Sequence, residues 1–333
     1  LCDHYLQYLF QQDFVRSELS QCKIELTEKE WYNRKEKWMQ YEEENHMGEY
    51  IITVNSTVDL PKEWLEERNV PVIPLKYTID DQTYDDMNGL SAKEFFQKLR
   101  DGKMATTTQV NPEQAKDAFE PFLKEGKDIL HLGFSSGLSG TYNSMRIAAE
   151  DLMEEYPDRT IIVIDTLCAC LGEALLLYYA LKKKEEGMDI RELAAWVEEH
   201  KLHICHDVTV DDLNHLHRGG RVSKATAVVG TMVKIKPIIH MDNNGKLQVV
   251  GKERGRKKSL NKIVDMAAEQ AKGWENDIIM ITHGDCLEDA EYVAKLVREK
   301  MGIDNILINN IGTVIGSHTG PGVVAVFCMG SER

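Results

Sequence analysis

The chain has 333 residues and a formal net charge of −15 at pH 7. This length is more than one hydrophobic core usually needs, so we expect two domains, each with α/β layers. A strongly negative protein is repelled by nucleic acid and by anionic membrane surfaces, and no long basic tract offsets the charge. The expected partner is therefore a small molecule or another protein.

The seven cysteines are scattered and include no CxxC pair, which is typical of free thiols in a reducing compartment. No positively charged segment followed by an apolar stretch opens the chain, and no apolar run has the length of a membrane span. We therefore expect a cytoplasmic protein without disulfides and without membrane insertion.

Residues 1–48 differ in composition from the rest, because they are rich in Glu, Gln, Lys and aromatic residues. The segment from Glu30 to Tyr41 has the periodicity of an amphipathic helix, which predicts a helical N-terminal extension over 1–48. A disordered leader is the alternative, since the segment carries many charges.

From Tyr50 onwards, apolar runs alternate with helical patterns, which predicts strands joined by crossover helices in a largely parallel sheet. Strands are predicted at 51–54, 70–75, 128–132 and 160–165, and helices at 62–68, 142–155, 172–186 and 189–200. Polar loops follow several of these strands. Because ligands bind beyond the carboxyl ends of strands in open parallel sheets, we expect a site at these loops.

Beyond residue 205 the pattern becomes mixed. Apolar strands at 237–241 and 246–250 flank turn residues and predict a β-hairpin. A helix at 287–300 lies between strands predicted at 278–282 and 305–308, and a last strand is predicted at 323–328. The expected fold is α/β, with a parallel-sheet domain at 49–205 and an α+β domain at 206–333.

Three segments are dense in hydroxyl and glycine residues: Thr-Thr-Thr-Gln at 106–109, Ser-Ser-Gly-Leu-Ser-Gly-Thr at 135–141 and Gly-Ser-His-Thr-Gly-Pro-Gly at 316–322. Hydroxyls and backbone NH groups donate several hydrogen bonds without adding a full positive charge, so they suit a carboxylate or a phosphate. Each segment alone fits an ordinary cap or turn. Together they favour a site for an anionic head group.

Two of these strings occur in a fixed order with Ser-Thr at 56–57, Arg-Gly-Gly-Arg-Val-Ser at 218–223 and Lys-Ile-Lys-Pro at 234–237. The combination closely resembles the DegV family of bacterial fatty acid binding proteins, including the subunits that present fatty acids to a fatty acid kinase. The resemblance covers nearly the whole chain except 1–48. It implies a DegV-like two-domain fold with the acyl chain in a tunnel between the domains.

The same resemblance implies which residues hold the carboxyl group. The family's carboxyl-binding hydroxyls fall on Thr107 and Ser139, with Thr108 adjacent, and its histidine falls on His318. Arg221 and Arg254 match basic positions that lie near the head group or on the face offered to the kinase. Two further candidate contacts are Ser56 and Gly140. The chain departs from the family at Asn55, where Asp is usual, and at Thr108, where Ser is common.

A lipid ligand is physically consistent with these residues. Burying about fifteen methylenes at ~0.8 kcal/mol each gives an upper figure near ~12 kcal/mol before entropy losses, so the tail supplies most of the affinity. Hydrogen bonds at the polar end offset the cost of taking the carboxylate out of water. We expect a long-chain fatty acid such as palmitate, stearate or oleate, and no cofactor or metal. Expected tunnel walls are Phe134, Leu138, Met145, Ile311 and Val314.

Ser139 and His318 also permit a second hypothesis, a serine esterase or hydrolase. The Gly-x-Ser-x-Gly elbow of α/β-hydrolases is absent around Ser139, and no orienting acid can be chosen from the sequence. No GxGxxG follows the first strand, so dinucleotide binding is not expected either. We therefore expect a non-catalytic carrier.

Two further clusters have open interpretations. A histidine-rich stretch has spacing that fits neither HxxxH on a helix nor a zinc ribbon, which favours a surface cluster over a metal site: His200, His203, Cys205, His206, His215 and His217. A basic run is either a solvated face or, following the family, a docking patch for a kinase: Lys252, Arg254, Arg256, Lys257 and Lys258.

Overall fold

A computed structural model of the protein describes residues 49–223, 234–331 and 333. The helical extension predicted at 1–48 lies outside the described residues. Within the described part, strands and helices are numbered below in chain order.

The first sheet has four parallel strands in the order β2-β1-β6-β7. They are β1 (Tyr50–Asn55), β2 (Val72–Ile73), β6 (Asp128–Gly133) and β7 (Ile161–Asp165). The predicted parallel sheet is thus confirmed. The strand predicted at 70–75 shrinks to two residues, because Pro71 and Pro74 flank it and have no amide hydrogen for the ladder.

Helices connect the strands in this half of the chain: α1 (Lys62–Glu67), α2 (Ala92–Arg100), α3 (Pro112–Lys124), α4 (Thr141–Glu155), α5 (Leu171–Glu185) and α6 (Ile190–His200). Three of them begin with a capping box. In this motif the N-cap side chain accepts a hydrogen bond from the backbone amide three residues later, and the side chain of that later residue accepts one from the N-cap amide. The capping residues are Ser91, Asn111 and Asp189. These caps fix where α2, α3 and α6 begin.

A small antiparallel sheet, in the order β4-β3-β5, is absent from the sequence prediction. It consists of β3 (Lys76–Ile79), β4 (Gln82–Asp85) and β5 (Ala105–Thr108). Its strands are short and carry few apolar residues, so they give little periodic signal. The register places Thr107 opposite Tyr77, whose ring is fully buried. The small sheet therefore fixes the backbone of Thr107.

The third sheet has six strands in the order β10-β9-β8-β13-β11-β12. They are β8 (Ile204–Thr209), β9 (Ile235–Met241), β10 (Leu247–Arg254), β11 (Ile279–His283), β12 (Ile306–Asn310) and β13 (Val324–Met329). Neighbouring strands are antiparallel except β11 and β12. The helices here are α7 (Asn214–Arg218), α8 (Arg256–Gln270), α9 (Leu287–Met301) and α10 (Thr313–Thr319).

This mixed sheet with helices confirms the predicted α+β character of the second half, and β9 and β10 confirm the predicted hairpin. The division into domains at 49–205 and 206–333 stays a prediction. Glu49–Arg333 forms one compact unit, and β8 crosses the predicted boundary.

Strand alternation gives the six-stranded sheet two different faces. On β8 and β13, Cys205, Val324 and Val326 point towards α8 and α9, where they join a buried core with Ile263 and Val293. The side chains between them in sequence point to the opposite face. That second face borders the cavity described in the next subsection.

Three carboxyl groups are buried near the strand ends: those of Asp59 and Asp86, which lie in loops, and that of Glu173, which lies in the first turn of α5. Thr313 Oγ1 donates to Asp86 Oδ1 at 2.6 Å, and Thr57 Oγ1 donates to Glu173 Oε2 at 3.1 Å. Burial raises the pKa of all three carboxyl groups, and the nearby Asp86 raises the pKa of Asp59 further. Burial therefore shifts all three groups towards the uncharged form relative to an exposed carboxyl group.

We expect Asp59→Asn to stabilise the protein increasingly, relative to the parent chain, as the pH rises. The unfolded carboxyl ionises near its ordinary pKa of about 3.9, whereas the folded one stays protonated to higher pH. The stability that Asp59 contributes is thus fully present below that value and is lost as the pH rises towards the folded pKa. Asparagine has the same shape and does not ionise.

Urea unfolding between about pH 5 and about pH 8 measures this difference. The matched control is Asp158→Asn, which removes an exposed carboxyl group. A stability difference between parent and Asp59→Asn that stays constant over this range would contradict the prediction.

Candidate functional site

The face of the six-stranded sheet opposite α8 and α9 borders a cavity of about 320 Å³. Residues of α10, of β5, of α7 and the segment after it, and of the loops after β6 and β7 also line the cavity. Most lining side chains are apolar, among them Phe134, Val208, Ile239, Ala325 and Phe327. Ligand pockets in proteins span roughly 300–1,000 Å³, so the cavity can hold a small molecule with a largely apolar body.

The expected tunnel walls mostly agree with this lining. Phe134, Leu138, Ile311 and Val314 all border the cavity. Met145 does not, because it lies on α4 with its side chain fully buried in the core. Met145 therefore faces the packed core and does not border the cavity.

The cavity wall includes a histidine whose two ring nitrogens are both occupied. His206 Nδ1 is 2.9 Å from the carbonyl oxygen of Ile204, and Nε2 accepts a hydrogen bond from the amide of Ala169 at 3.2 Å. A carbonyl oxygen only accepts, so the proton is on Nδ1. Burial lowers the pKa of His206 to about 3. The neutral ring offers the cavity no free polar atom.

The prediction of a surface cluster for the histidine-rich stretch is wrong for His206 and for Cys205. Both are buried, because β8 is an interior strand of the sheet and both of its faces are covered. His200, His203, His215 and His217 are partly exposed, in agreement with the prediction.

Five polar side chains form one region of the lining, which we call the polar wall: Thr107, Thr108, Ser139, Arg221 and His318. Thr107 Oγ1 and His318 Nε2 are hydrogen-bonded at 2.8 Å, although the two residues are 211 positions apart in the chain. The hydroxyl-rich segments at 106–109, 135–141 and 316–322 thus meet at a single place, as the sequence predicts.

Ser139 lies in the loop between β6 and α4. Its amide donates to the carbonyl oxygen of Ser135 at 3.1 Å, and its Oγ is 3.0 Å from Thr141 Oγ1. Ser135 Oγ donates to the carbonyl oxygen of Gly245, in the turn between β9 and β10, at 2.8 Å. A Cβ at Gly137 would come within 2.5 Å of this turn, so glycine permits the close approach. The Ser139 loop is thus fixed by hydrogen bonds within it and by its contact with the turn between β9 and β10.

His318 lies near the C-terminal end of α10. Its Nδ1 has no hydrogen-bond partner among the described residues, and a Cβ at Gly219 would come within 2.2 Å of this nitrogen. Burial, and then the nearby charge of Arg221, lower the pKa of His318 to about 4. The imidazole is therefore neutral at pH 7 and can donate one hydrogen bond.

Arg221 brings a positive charge to the polar wall. Its Nε and one terminal nitrogen donate to the carbonyl oxygen of Leu138 at 3.1 Å and 2.9 Å, and the other terminal nitrogen donates to Gly219. Because Leu138 precedes Ser139, these bonds attach the guanidinium group to the Ser139 loop. Within the described residues, no carboxylate pairs with Arg221.

The other predicted site residues lie outside the lining. Ser56 is fully buried, and its Oγ accepts from the amide of the lining residue Leu75 at 3.1 Å. Gly140 is the N-cap of α4, and its backbone lies against the side chain of Gln109. Arg254 is exposed at the end of β10. The structure therefore brings Ser56 and Gly140 near the site and leaves Arg254 apart from it.

Three lining residues, Cys170, His206 and Thr282, have polar side chains that the sequence patterns do not associate with the site. They come from α5's N-cap, β8 and β11, and no shared motif connects these segments. Only the alternation of β8 and β11 could have indicated which of their residues face the cavity.

Across 49–223, 234–331 and 333, no group of three or more His, Cys, Asp or Glu side chains is arranged to hold a metal ion. None of the helices in that part of the chain combines the length and the apolar character that crossing a bilayer requires.

Known proteins share both the sequence and the fold. Residues 50–330 match the family model described as "Uncharacterised protein, DegV family". A DegV domain-containing protein of Clostridium perfringens is 44% identical over 289 residues, which are 86% of this chain and 99% of that protein. One of Lactococcus lactis is 33% identical over 280 residues, 84% of this chain and 96% of that protein.

Two solved structures show the same architecture. A DegV family protein from Thermus thermophilus, described as binding fatty acid, matches with a TM-score of 0.77 and 28% identity over 85% of this chain and all of its own. A stearic acid-binding protein from Eubacterium ventriosum matches with a TM-score of 0.78 and 25% identity, over 84% of this chain and 98% of its own. With a family match over almost all of the described residues and relatives above 30% identity, this chain belongs to the DegV family.

Proposed function

We propose that this protein binds one long-chain fatty acid, with the acyl chain in the cavity and the carboxylate at the polar wall. The observation that carries the proposal is a largely apolar cavity whose polar wall combines hydroxyls, an imidazole and a guanidinium group. Relatives of the same fold from Thermus thermophilus and Eubacterium ventriosum are described as fatty acid and stearic acid binders. The cavity would then be the predicted tunnel between the two domains.

The tail supplies most of the affinity in this arrangement. Each methylene removed from water contributes about 0.8 kcal/mol, and the lining offers apolar contacts along the chain. The carboxylate loses its hydration, which costs several kcal/mol unless its oxygens are hydrogen-bonded. The hydroxyls of Thr107 and Ser139 can each donate one such bond, and His318 orients the Thr107 hydroxyl for this when its Nε2–H donates to Thr107 Oγ1. The polar wall therefore fixes the orientation of the lipid.

The electrostatics favour an ionised carboxylate. His318 is neutral at pH 7, and its Nε2 is hydrogen-bonded to Thr107. Arg221 lies next to this pair and has no carboxylate partner among the described residues. A ligand carboxylate would supply the missing negative charge, so the two opposite charges stabilise each other in a partly dehydrated site.

The geometry favours a carrier over a serine hydrolase. A nucleophilic serine needs a hydrogen bond to its base, and the base needs an orienting acid. Here Ser139 bonds to Thr141, His318 bonds to Thr107, and Ser139 and His318 do not bond to each other. His318 Nδ1, where an orienting carboxylate would bind, has no partner in the described part of the chain.

We further propose that the basic run offers a docking surface to a fatty acid kinase, which would phosphorylate the carboxyl group. Lys252, Arg254, Lys257 and Lys258 are exposed on β10 and the start of α8, so their charges are open to an acidic partner. Arg256 is different, because its Nε donates to Asp289 at 2.8 Å within the fold. Arg256 therefore has a structural role and is not counted in this surface.

Mass spectrometry of lipid extracted from the denatured protein is expected to find a long-chain fatty acid in about one-to-one ratio, because a buried tail survives purification.

Thr107→Val and Ser139→Ala are each expected to weaken fatty acid binding about tenfold or more, since each removes a donor to a charged group. Ser136→Ala, which removes an exposed hydroxyl of the loop that contains Ser139, should leave the fatty acid affinity unchanged.

A lipid-free protein that takes up no fatty acid would contradict this proposal. Hydrolysis of p-nitrophenyl esters that disappears in Ser139→Ala would support the serine hydrolase instead.

His318 is expected to titrate near pH 4 in the lipid-free protein, well below an ordinary histidine, because burial disfavours the charged ring. Nitrogen-15 NMR of the imidazole between about pH 3 and about pH 8 measures this value. Arg221→Gln should raise the pKa of His318 by removing the neighbouring positive charge, while Arg254→Gln should not change it. A ring that titrates near 6.5 would contradict this description of the site.

Charge reversal on the docking surface is expected to slow phosphorylation of the bound fatty acid by a purified fatty acid kinase about tenfold and to leave lipid content unchanged. Arg254→Glu and Lys257→Glu test this, and Lys93→Glu, an exposed lysine on α2, is the matched control. Loss of lipid together with phosphorylation, or an equal effect of the control, would count against the docking surface.

A further inference from the structure

The short helix α10 contributes several residues to the lining of the cavity and begins without a capping side chain of its own. Val314, Ile315, His318 and Thr319 all border the cavity. The N-cap residue is Gly312, which has no side chain that could accept hydrogen bonds from the first turn. Amide groups at the start of a buried helix need such acceptors. The acceptor must therefore come from another part of the chain.

Asp86, which directly follows β4, supplies this acceptor. Its Oδ1 accepts a hydrogen bond from Thr313 Oγ1 at 2.6 Å and another from the amide of Val314 at 3.3 Å, across 227 and 228 positions of the chain. Asp86 is only 1% exposed, and its own amide donates to the carbonyl oxygen of Leu75 at 2.9 Å. Since Leu75 directly precedes β3, the carboxyl group that caps α10 is fixed to the small antiparallel sheet.

The same small sheet also holds the other end of α10. The strand before Asp86, β4, and the strand that contains Thr107, β5, both pair with Lys76–Ile79 of β3. Thr107 is in turn hydrogen-bonded to Nε2 of His318 at 2.8 Å. The helix is therefore attached to one rigid element at two points, Thr313 and His318, which lie about 7.5 Å apart along the helix axis at 1.5 Å per residue.

Between these two points, α10 packs closely against α2. A Cβ at Gly316 would come within 2.9 Å of the ring of Phe96 and within 3.1 Å of the ring of Phe95, and both rings are fully buried. Apolar contact of this kind keeps the helix from moving towards α2, but it has no directional preference and does not fix the rotation of the helix about its axis. The hydrogen bonds at the two ends of α10 therefore determine that rotation.

We propose that Asp86 is a positioning residue of the fatty acid site: by binding the start of α10, it sets where the His318 imidazole lies relative to Thr107. This inference rests on the proposed function and adds to it a residue that acts from outside the cavity. Neither Asp86 nor Thr313 is among the residues that line the cavity. An effect of either residue on fatty acid affinity is therefore transmitted through α10.

The test measures the palmitate affinity of the delipidated full chain by displacement of a fluorescent fatty acid. Asp86→Ala is expected to weaken palmitate binding about tenfold and Thr313→Val about fivefold. The double variant should lose about as much as Asp86→Ala alone, because both changes remove the same hydrogen bond. Asp86→Asn keeps an acceptor oxygen and should lose less affinity than Asp86→Ala. The matched control is Asp85→Asn, an exposed neighbour on β4, which should leave the affinity unchanged.

Nitrogen-15 NMR of His318 in the lipid-free variants separates a positioning role from a contribution to stability alone. If Asp86→Ala lets α10 shift, the imidazole becomes less buried, and its pKa should rise above the value of about 4 in the parent. A variant that is only less stable, as measured by urea unfolding, would keep the pKa of the parent in its folded state.

Two results would overturn the inference. One is a palmitate affinity and a pKa of His318 that stay at the parent values in Asp86→Ala and Thr313→Val, and the other is additive losses of affinity in the double variant. Should Asp86→Ala fail to fold, Thr313→Val decides by the same two measurements. In each case the parent still binds palmitate, so the proposed function stands. A parent protein that takes up no palmitate would refute the proposed function, and this inference with it.

Discussion

The cavity depends on one constraint, which is that β8 and β13 are interior strands with both faces buried. Alternation sends Cys205, Val324 and Val326 into the core beneath α8 and α9, and it sends Val208 and Ala325 to the cavity. A register shift of one residue would exchange the two sets. The same ladder that packs one side of the sheet therefore determines the shape and the apolar character of the space on the other.

The polar wall has a different origin, because its residues come from four separate segments. Thr107 is positioned by a small antiparallel sheet, Ser139 by a loop fixed on both sides, and His318 by a short helix. Arg221, from the segment that follows α7, is joined to the Ser139 loop through the carbonyl oxygen of Leu138. Positive charge at this place contrasts with the acidic chain as a whole, so the local electrostatics of the site are set by a few residues and not by net charge.

Sequence patterns predict the parallel sheet, the hairpin and the meeting of the hydroxyl-rich segments, because long apolar runs and strand-end loops carry strong signals. They do not predict the sheet that holds Thr107, since its strands are short and polar. They also misplace His206, because burial on an interior strand depends on neighbours that are distant in sequence. The bond between Arg221 and Leu138 spans 83 positions and carries no local signal.

The apolar part of the cavity lining contains polar atoms that are unavailable to a ligand. In His206, for example, both ring nitrogens are already hydrogen-bonded to backbone groups. Water entering such a space finds few hydrogen-bond partners, and an empty space leaves the lining atoms without dispersion contacts. A ligand that fills it stabilises only the folded chain. Proteases cleave the transiently opened form, so the loaded protein would outlast the empty one in the cell, and its abundance would follow the supply of lipid.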